Sequence, residues 1–160
     1  MFPTQKPHVS YSEVSTWKSC PFKHKLSYIE KIDLGEPSPY LDYGTLVHEQ
    51  AESYLNTRTM DLDDFERKLR EAWIEHGFDS EEYIQKQADY RKEQGWKPKP
   101  HHYIDEWVTW AKTCLTDLPK FLDETFPNWE TVSAEEMLYE DIPGHDIKFK
   151  GFIDGLIKCD

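Results

Sequence analysis

Cysteine is scarce in this sequence. Cys20, Cys114 and Cys159 are the only three, they lie far apart, and none belongs to a CxxC pair. That excludes a disulfide framework and a self-contained zinc site, and makes a reducing, cytoplasmic setting the expectation. Long apolar runs are missing as well. No stretch approaches the roughly 18 apolar residues needed to span a bilayer, and Met1 to Pro7 lacks an apolar signal core. No membrane role is expected. Net positive charge is also lacking: 19 Lys and Arg stand against 31 Asp and Glu, a formal balance of −12. A broadly basic surface for nucleic acid is thereby excluded. There is no internal repeat and no low-complexity tract.

What is present argues for a folded domain. Aromatic residues make up 14% of the chain, a load that disordered chains do not carry. A length of 160 residues suffices for one domain with a real core. The charge is unevenly spread. Lys18, Lys23, His24 and Lys25 cluster early, Lys97, Lys99, His101 and His102 form a second group, and Lys148, Lys150 and Lys158 a third. Acidic residues dominate 61–82 and 135–146. Local basic strips on an acidic protein remain open.

Residues 1–9 read as a loose arm. Ser10 and Glu13 have capping-box spacing, so a helix is expected from Tyr11, with Val14 and Trp17 inward. Pro21 suits the first position of a second short helix carrying Phe22, Leu26 and Ile29 inward. Residues 31–41 read as a loop and 42–57 as a helix. From Asp61 to His76, Leu62, Phe65, Leu69, Ala72 and Trp73 recur at helical spacing. A weaker charged helix covers 80–92, a polar linker 93–100, and a longer helix runs through Trp107, Ala111, Cys114 and Leu115, to be kinked or restarted at Pro119. The character then changes. Residues 132–142 and 147–158 read as strands around a Pro143-Gly144-His145-Asp146 turn. The pattern predicts an α+β fold: a helical first part followed by a hairpin, packed on a sheet of which this hairpin is the first part. Two strands alone are marginal, so further strands are expected beyond the end or from a partner.

Several residues could carry chemistry. Gly44, His48 and Glu52 are four apart and share a helix face, where His48 is either a half-buried helix histidine or a metal ligand. Asp154 lies mid-strand between Phe152 and Leu156. Strands are poor in Asp, and a buried carboxylate is costly unless it is paired or binds metal. The bland alternative is a strand-end Asp bonded to a turn. Glu135, Glu136 and Glu140 lie on the preceding strand, and alternation places Glu136 and Glu140 on one face, each an acidic catalytic candidate or part of a solvated edge. Cys20 reads as a small buried hydrophobe or a ligand.

Taken together, VSYSEVSTWKSCPFKHKLSYI, then GTLVHEQAE, then FKGFIDGLIK resemble the RecB-like branch of the PD-(D/E)XK nucleases, in particular the small stand-alone exonucleases of bacteriophages. Ser10, Ser12, Trp17, Cys20, Pro21 and Phe22 match the family's opening pattern, Gly44 and His48 its Gly-x-x-x-His motif, and Gly151 and Asp154 its Gly-x-x-Asp motif. The resemblance implies a single nuclease domain over 1–160 with an α/β nuclease core, and a metal-dependent DNA exonuclease acting in DNA processing, recombination or repair. It implies a helical insert over 57–130, and His48 and Asp154 as catalytic residues that hold Mg²⁺ or Mn²⁺, to which the strand pattern adds Glu136 as the acidic catalytic candidate. DNA contacts are expected at Ser10, Ser12, Lys18, Lys23, Lys25 and Lys150, and the partners would be DNA and a second copy or a recombination protein. For a phage-encoded chain the setting is the cytoplasm of a bacterial host. The family's Asp/Glu-x-Lys motif belongs on the strand after Asp154, and the sequence reaches Asp160 without it. The chain is therefore expected to be an inactive N-terminal portion of a nuclease, or else a nuclease-derived module that binds DNA or protein without cutting. Some relatives hold an iron–sulfur cluster through a cysteine at the Cys20 position and three trailing ones. Cys114 and Cys159 do not match that trio, so no cluster is expected in this chain.

Overall fold

Ser10 ends the first strand and starts the first helix in one residue. Its backbone is extended, and its hydroxyl accepts the Glu13 N–H at 3.3 Å, which caps α1 (Tyr11–Ser19). The preceding residues form β1 (His8–Ser10) where the sequence suggested a loose arm. Three residues are too few to show a period. This computed structural model describes residues 4, 6–33 and 35–159. Among them the chain divides into two units. One comprises the described residues up to Glu36 with Val132–Leu156, the other Pro37–Thr131 with 157–159.

The first unit holds α1, α2 (Pro21–His24), a π-helical turn (Lys25–Ile29) and most of the hairpin β2 (Glu130–Asp141) and β3 (Lys148–Lys158). Pro21 occupies the first turn of α2, where its missing N–H costs nothing. The sheet order is β1-β3-β2, with β1 parallel to β3 in the register Val9↔Phe149. The link from Ile142 to Ile147 is too short for a parallel crossover, so β2 and β3 form the expected hairpin. The sheet thus has one strand more than the sequence suggested.

The inward faces of α1 and α2 differ from expectation. Val14, Trp17, Phe22 and Ile29 are exposed. The residues turned inward are Glu13, 2% exposed, and His24, 7% exposed, joined through Nε2 and Oε1 at 3.2 Å. Glu13 therefore does not complete a capping box. Its carboxylate is committed to His24, whose ring stacks on Tyr28 at 5.1 Å. Helical spacing cannot reveal that a polar pair, rather than the apolar residues, takes the buried side.

The second unit contains α3 (Pro39–Thr57), α4 (Leu62–His76), α5 (Glu81–Glu93) and α6 (Ile104–Thr125). α3 begins inside the stretch read as a loop, because Pro39 sits at its first turn. α4 is capped by Asp61, which accepts the Asp64 N–H at 2.9 Å, and closed by Gly77 in the left-handed region at φ 63°. α6 continues through Pro119. Phe65, Leu69 and Trp73 on α4 meet Trp107, Val108, Ala111 and Leu115 on α6 in the main core, with Phe78 edge-on to Trp73 at 5.2 Å. This core lies in the helical unit, which begins at Pro37 rather than at residue 57, and Tyr43, Leu46 and Val47 of α3 pack against it.

Candidate metal centre

β3 brings Asp154 to the middle of a strand, flanked on the same face by Phe152 and Leu156. That face is open: Phe152, Asp154 and Leu156 are all exposed. The expectation of a buried Asp154 is corrected here. β3 is central in the sheet, but a central strand is covered only where another layer lies on its face, so the desolvation argument does not apply to this carboxylate.

On β2 the half-buried positions fall at Thr131 and Ser133, then at Ala134 and Leu138. The alternation changes parity just before Glu135. The cause is local, because Glu135 has φ 53°, in the left-handed region that a non-glycine residue rarely enters within a strand. A left-handed residue within a strand interrupts the regular alternation of its side chains. The result is that a Glu135 carboxylate oxygen and an Asp154 carboxylate oxygen lie within 4.8 Å. Glu136 is exposed and is not in this cluster. Alternation grouped Glu136 with Glu140, whereas the carboxylate that lies near Asp154 is that of the adjacent Glu135. Two adjacent glutamates were the only signal that either could be the one presented.

The hairpin also carries cations. Lys148 Nζ meets Asp141 Oδ1 at 2.8 Å, and that hydrogen bond raises the ammonium pKa above its ordinary value. Lys150 Nζ lies 5.2 Å from the Phe152 ring centroid.

The remaining expected site residues are spread over both units. Ser10 Oγ and Ser12 Oγ are 3.0 Å apart. Lys18, Lys23 and Lys25 are exposed, and Lys25 pairs with Glu30 at 3.2 Å. Cys20 is exposed, and its sulfur accepts the Lys23 N–H at 3.4 Å, so it caps α2 rather than filling a core. In the helical unit, His48 is an exposed residue of α3. A Cβ at Gly44, one turn earlier, would meet nothing within 4 Å. No described helix is long and apolar enough to cross a membrane.

The N-terminal helices, the hairpin whose second strand carries Gly151-x-x-Asp154 and the Glu135 carboxylate near that Asp make up an acidic site of oxygen donors, the kind that can hold a divalent cation. The sequence profile of the PD-(D/E)XK nuclease superfamily matches residues 8–160, and the chain belongs to that superfamily. Its members are typically metal-dependent nucleases. No curated protein and no solved structure matches the chain.

Proposed function

We propose that this chain belongs to a divalent-metal-dependent deoxyribonuclease of the RecB-like branch that degrades DNA from its ends, with 1–160 lying within its one nuclease domain and supplying metal and DNA contacts, while the lysine of the family's Asp/Glu-x-Lys motif is not among these residues. The observation that carries the reading is the approach of Glu135 to Asp154 on the hairpin of a chain from a nuclease superfamily. Two carboxylates this close repel each other, and a divalent cation between them reverses the sign of that interaction. Their oxygens are the hard donors that Mg²⁺ and Mn²⁺ prefer.

His48 is assigned as a third ligand, a nitrogen that Mn²⁺ accepts readily. The order of Gly44-x-x-x-His48 before Gly151-x-x-Asp154 supports it. When bound, the metal supplies Lewis-acid polarisation of a phosphoryl oxygen and makes water more acidic. The rest falls to the chain. Glu135 and Asp154 hold the cation on the open face of β3, where a phosphodiester can reach it. Lys18, Lys23, Lys25 and Lys150 attract the DNA backbone against the overall negative field, and the Ser10 and Ser12 hydroxyls donate to phosphate oxygens.

The test incubates the protein with Mn²⁺ and three DNA substrates: linear duplex, linear single strand and covalently closed circle. Release of acid-soluble nucleotides from linear DNA, intact circles, and loss of release in EDTA or in Asp154→Asn are expected. Cut circles turn the reading to an endonuclease. Salt-sensitive DNA binding with no cleavage of any substrate overturns catalysis in favour of a nuclease-derived binding module.

A further inference from the structure

The helical unit contains a cleft of about 690 Å³ between α5, the connection that follows it and the first turns of α3 and α6. This is within the size range of ligand sites, roughly 300–1,000 Å³. Its lining reverses the charge of the protein. The chain as a whole has 31 acidic against 19 basic side chains, whereas the cleft is lined by Arg91, Lys92 and Lys99 with Asp89 as its one carboxylate. Asp89 already accepts a hydrogen bond from Gln85 at 2.9 Å.

Two aromatic rings stand in this cationic cleft with much of their surface uncovered. Tyr40 is 63% exposed and Trp96 54%. Both rings are held in place. Gly95, at φ 70°, turns the chain after α5, and the Trp96 N–H donates to the Arg91 carbonyl at 2.9 Å. Arg91 then donates from Nε and Nη2 to the Lys97 carbonyl, at 3.1 and 2.8 Å, which fixes its guanidinium 5.6 Å from the Trp96 ring centroid. Tyr90 meets Trp96 edge-on at 5.9 Å. Lys99 Nζ donates to the Tyr40 hydroxyl at 3.4 Å, which sets a cation beside the second ring. Pro98 and Pro100 restrict the backbone between. A rigid ring beside a fixed cation requires little ordering when a ligand arrives.

We propose that this cleft binds single-stranded DNA, with unstacked bases on Trp96 and Tyr40 and phosphates on Arg91, Lys92 and Lys99. Flat apolar faces alternating with anionic groups are what such a lining complements, and that combination is a single strand. A duplex hides its base faces by stacking and offers the cleft only phosphates. The choice of DNA rests on the nuclease reading, while the site itself rests on the rings and cations of the helical unit. The cleft would hold the strand being degraded and give the enzyme a single-strand preference independent of its metal centre.

The experiment measures fluorescence anisotropy of a labelled oligothymidylate of about twenty nucleotides with the full chain in EDTA. Expected are saturable, salt-sensitive binding, roughly tenfold weaker binding in Trp96→Ala, recovery in Trp96→Phe, and a several-fold loss in Lys99→Gln. Trp96 lies at the surface, and circular dichroism of each variant checks that the fold is retained. The same label on a duplex should bind more weakly. Equal binding of single strand and duplex, or a folded Trp96→Ala that binds like the parent, overturns the proposal even if the protein cleaves DNA in Mn²⁺. Trp96-dependent binding without cleavage leaves the cleft standing and removes the nuclease reading instead.

Discussion

Glu135 reaches Asp154 from a backbone that turns left-handed in the middle of β2. The side chain that comes within 4.8 Å of the strand aspartate thus sits on the least comfortable backbone of the hairpin. A left-handed conformation costs a non-glycine residue about 1–2 kcal/mol, a cost that persists where function uses the geometry.

That pairing predicts a trade between stability and metal response. Glu135→Gly relieves the strain, so urea unfolding should show no loss of stability, whereas Glu135→Val should lose about 1–2 kcal/mol, because a β-branched residue tolerates φ 53° poorly. Glu135→Gly, Glu135→Gln and Asp154→Asn should each weaken Mn²⁺ binding in calorimetry by at least about tenfold, or roughly 1.4 kcal/mol. Mn²⁺ affinity unchanged in all three would remove the metal centre.

Asp79 gathers three donors in the helical unit: the Trp73 indole at 3.0 Å, His101 Nε2 at 2.8 Å and the Ile104 N–H at 3.3 Å. Partial burial pushes its pKa up, but the hydrogen bonds from Trp73, His101 and Ile104 outweigh it and hold the carboxyl below its usual range. A carboxyl depressed in the folded state stabilises fully above its unfolded pKa. This contribution should drain away as the pH falls through the ordinary carboxylate range towards the lower folded value. Asp79→Ala should cost about 1–3 kcal/mol at neutral pH, since it leaves the Trp73 and Ile104 donors unmatched. The difference from the parent should shrink in acid. A constant difference across a pH series of thermal melts would contradict this account.

The buried Glu13–His24 pair predicts strong non-additivity. Removing one partner leaves the other without its match in a dry site, at a cost of about 3 kcal/mol or more. Glu13→Leu and His24→Phe should each destabilise, and the double variant should recover most of the loss, because both polar groups are then gone. Simple addition of the two losses in a double-mutant cycle would show that the pair is not coupled.

Packing in Phe65 offers a plainer check on the helical unit. Its ring is fully buried among α4 and α6 side chains, so Phe65→Ala should cost about 3–5 kcal/mol in denaturant unfolding. A much smaller loss would mean that the core re-forms around the gap.

The sequence was most readable where one rule governed many residues. Phe65, Leu69 and Trp73 repeat at helical spacing over a long segment, and all three are buried. Trp107, Ala111 and Leu115 behave the same way on α6. Asp154 was visible because strands seldom carry Asp, although it is exposed rather than buried. Reading failed where one residue decided the outcome. The φ of Glu135 changed which of two adjacent glutamates meets Asp154. On α1 and α2, a polar pair took the inward side that Val14, Trp17 and Phe22 were expected to fill. β1 was too short to announce itself, and the cleft around Trp96 depends on how a linker folds back on α5, which no period encodes.

The parallel pairing of β1 with β3 joins the two ends of the sequence order. Loop-closure entropy makes such a contact late to form, while the helical stretch between them relies on nearer neighbours. During synthesis β1 leaves the ribosome long before its partner strand exists. The helices can settle while β1 still lacks its ladder, and the exposed Trp17 and Phe22 beside it stay available for wrong associations. Recovery of this protein from cells should therefore depend more on chaperone supply and growth temperature than its equilibrium stability alone would suggest.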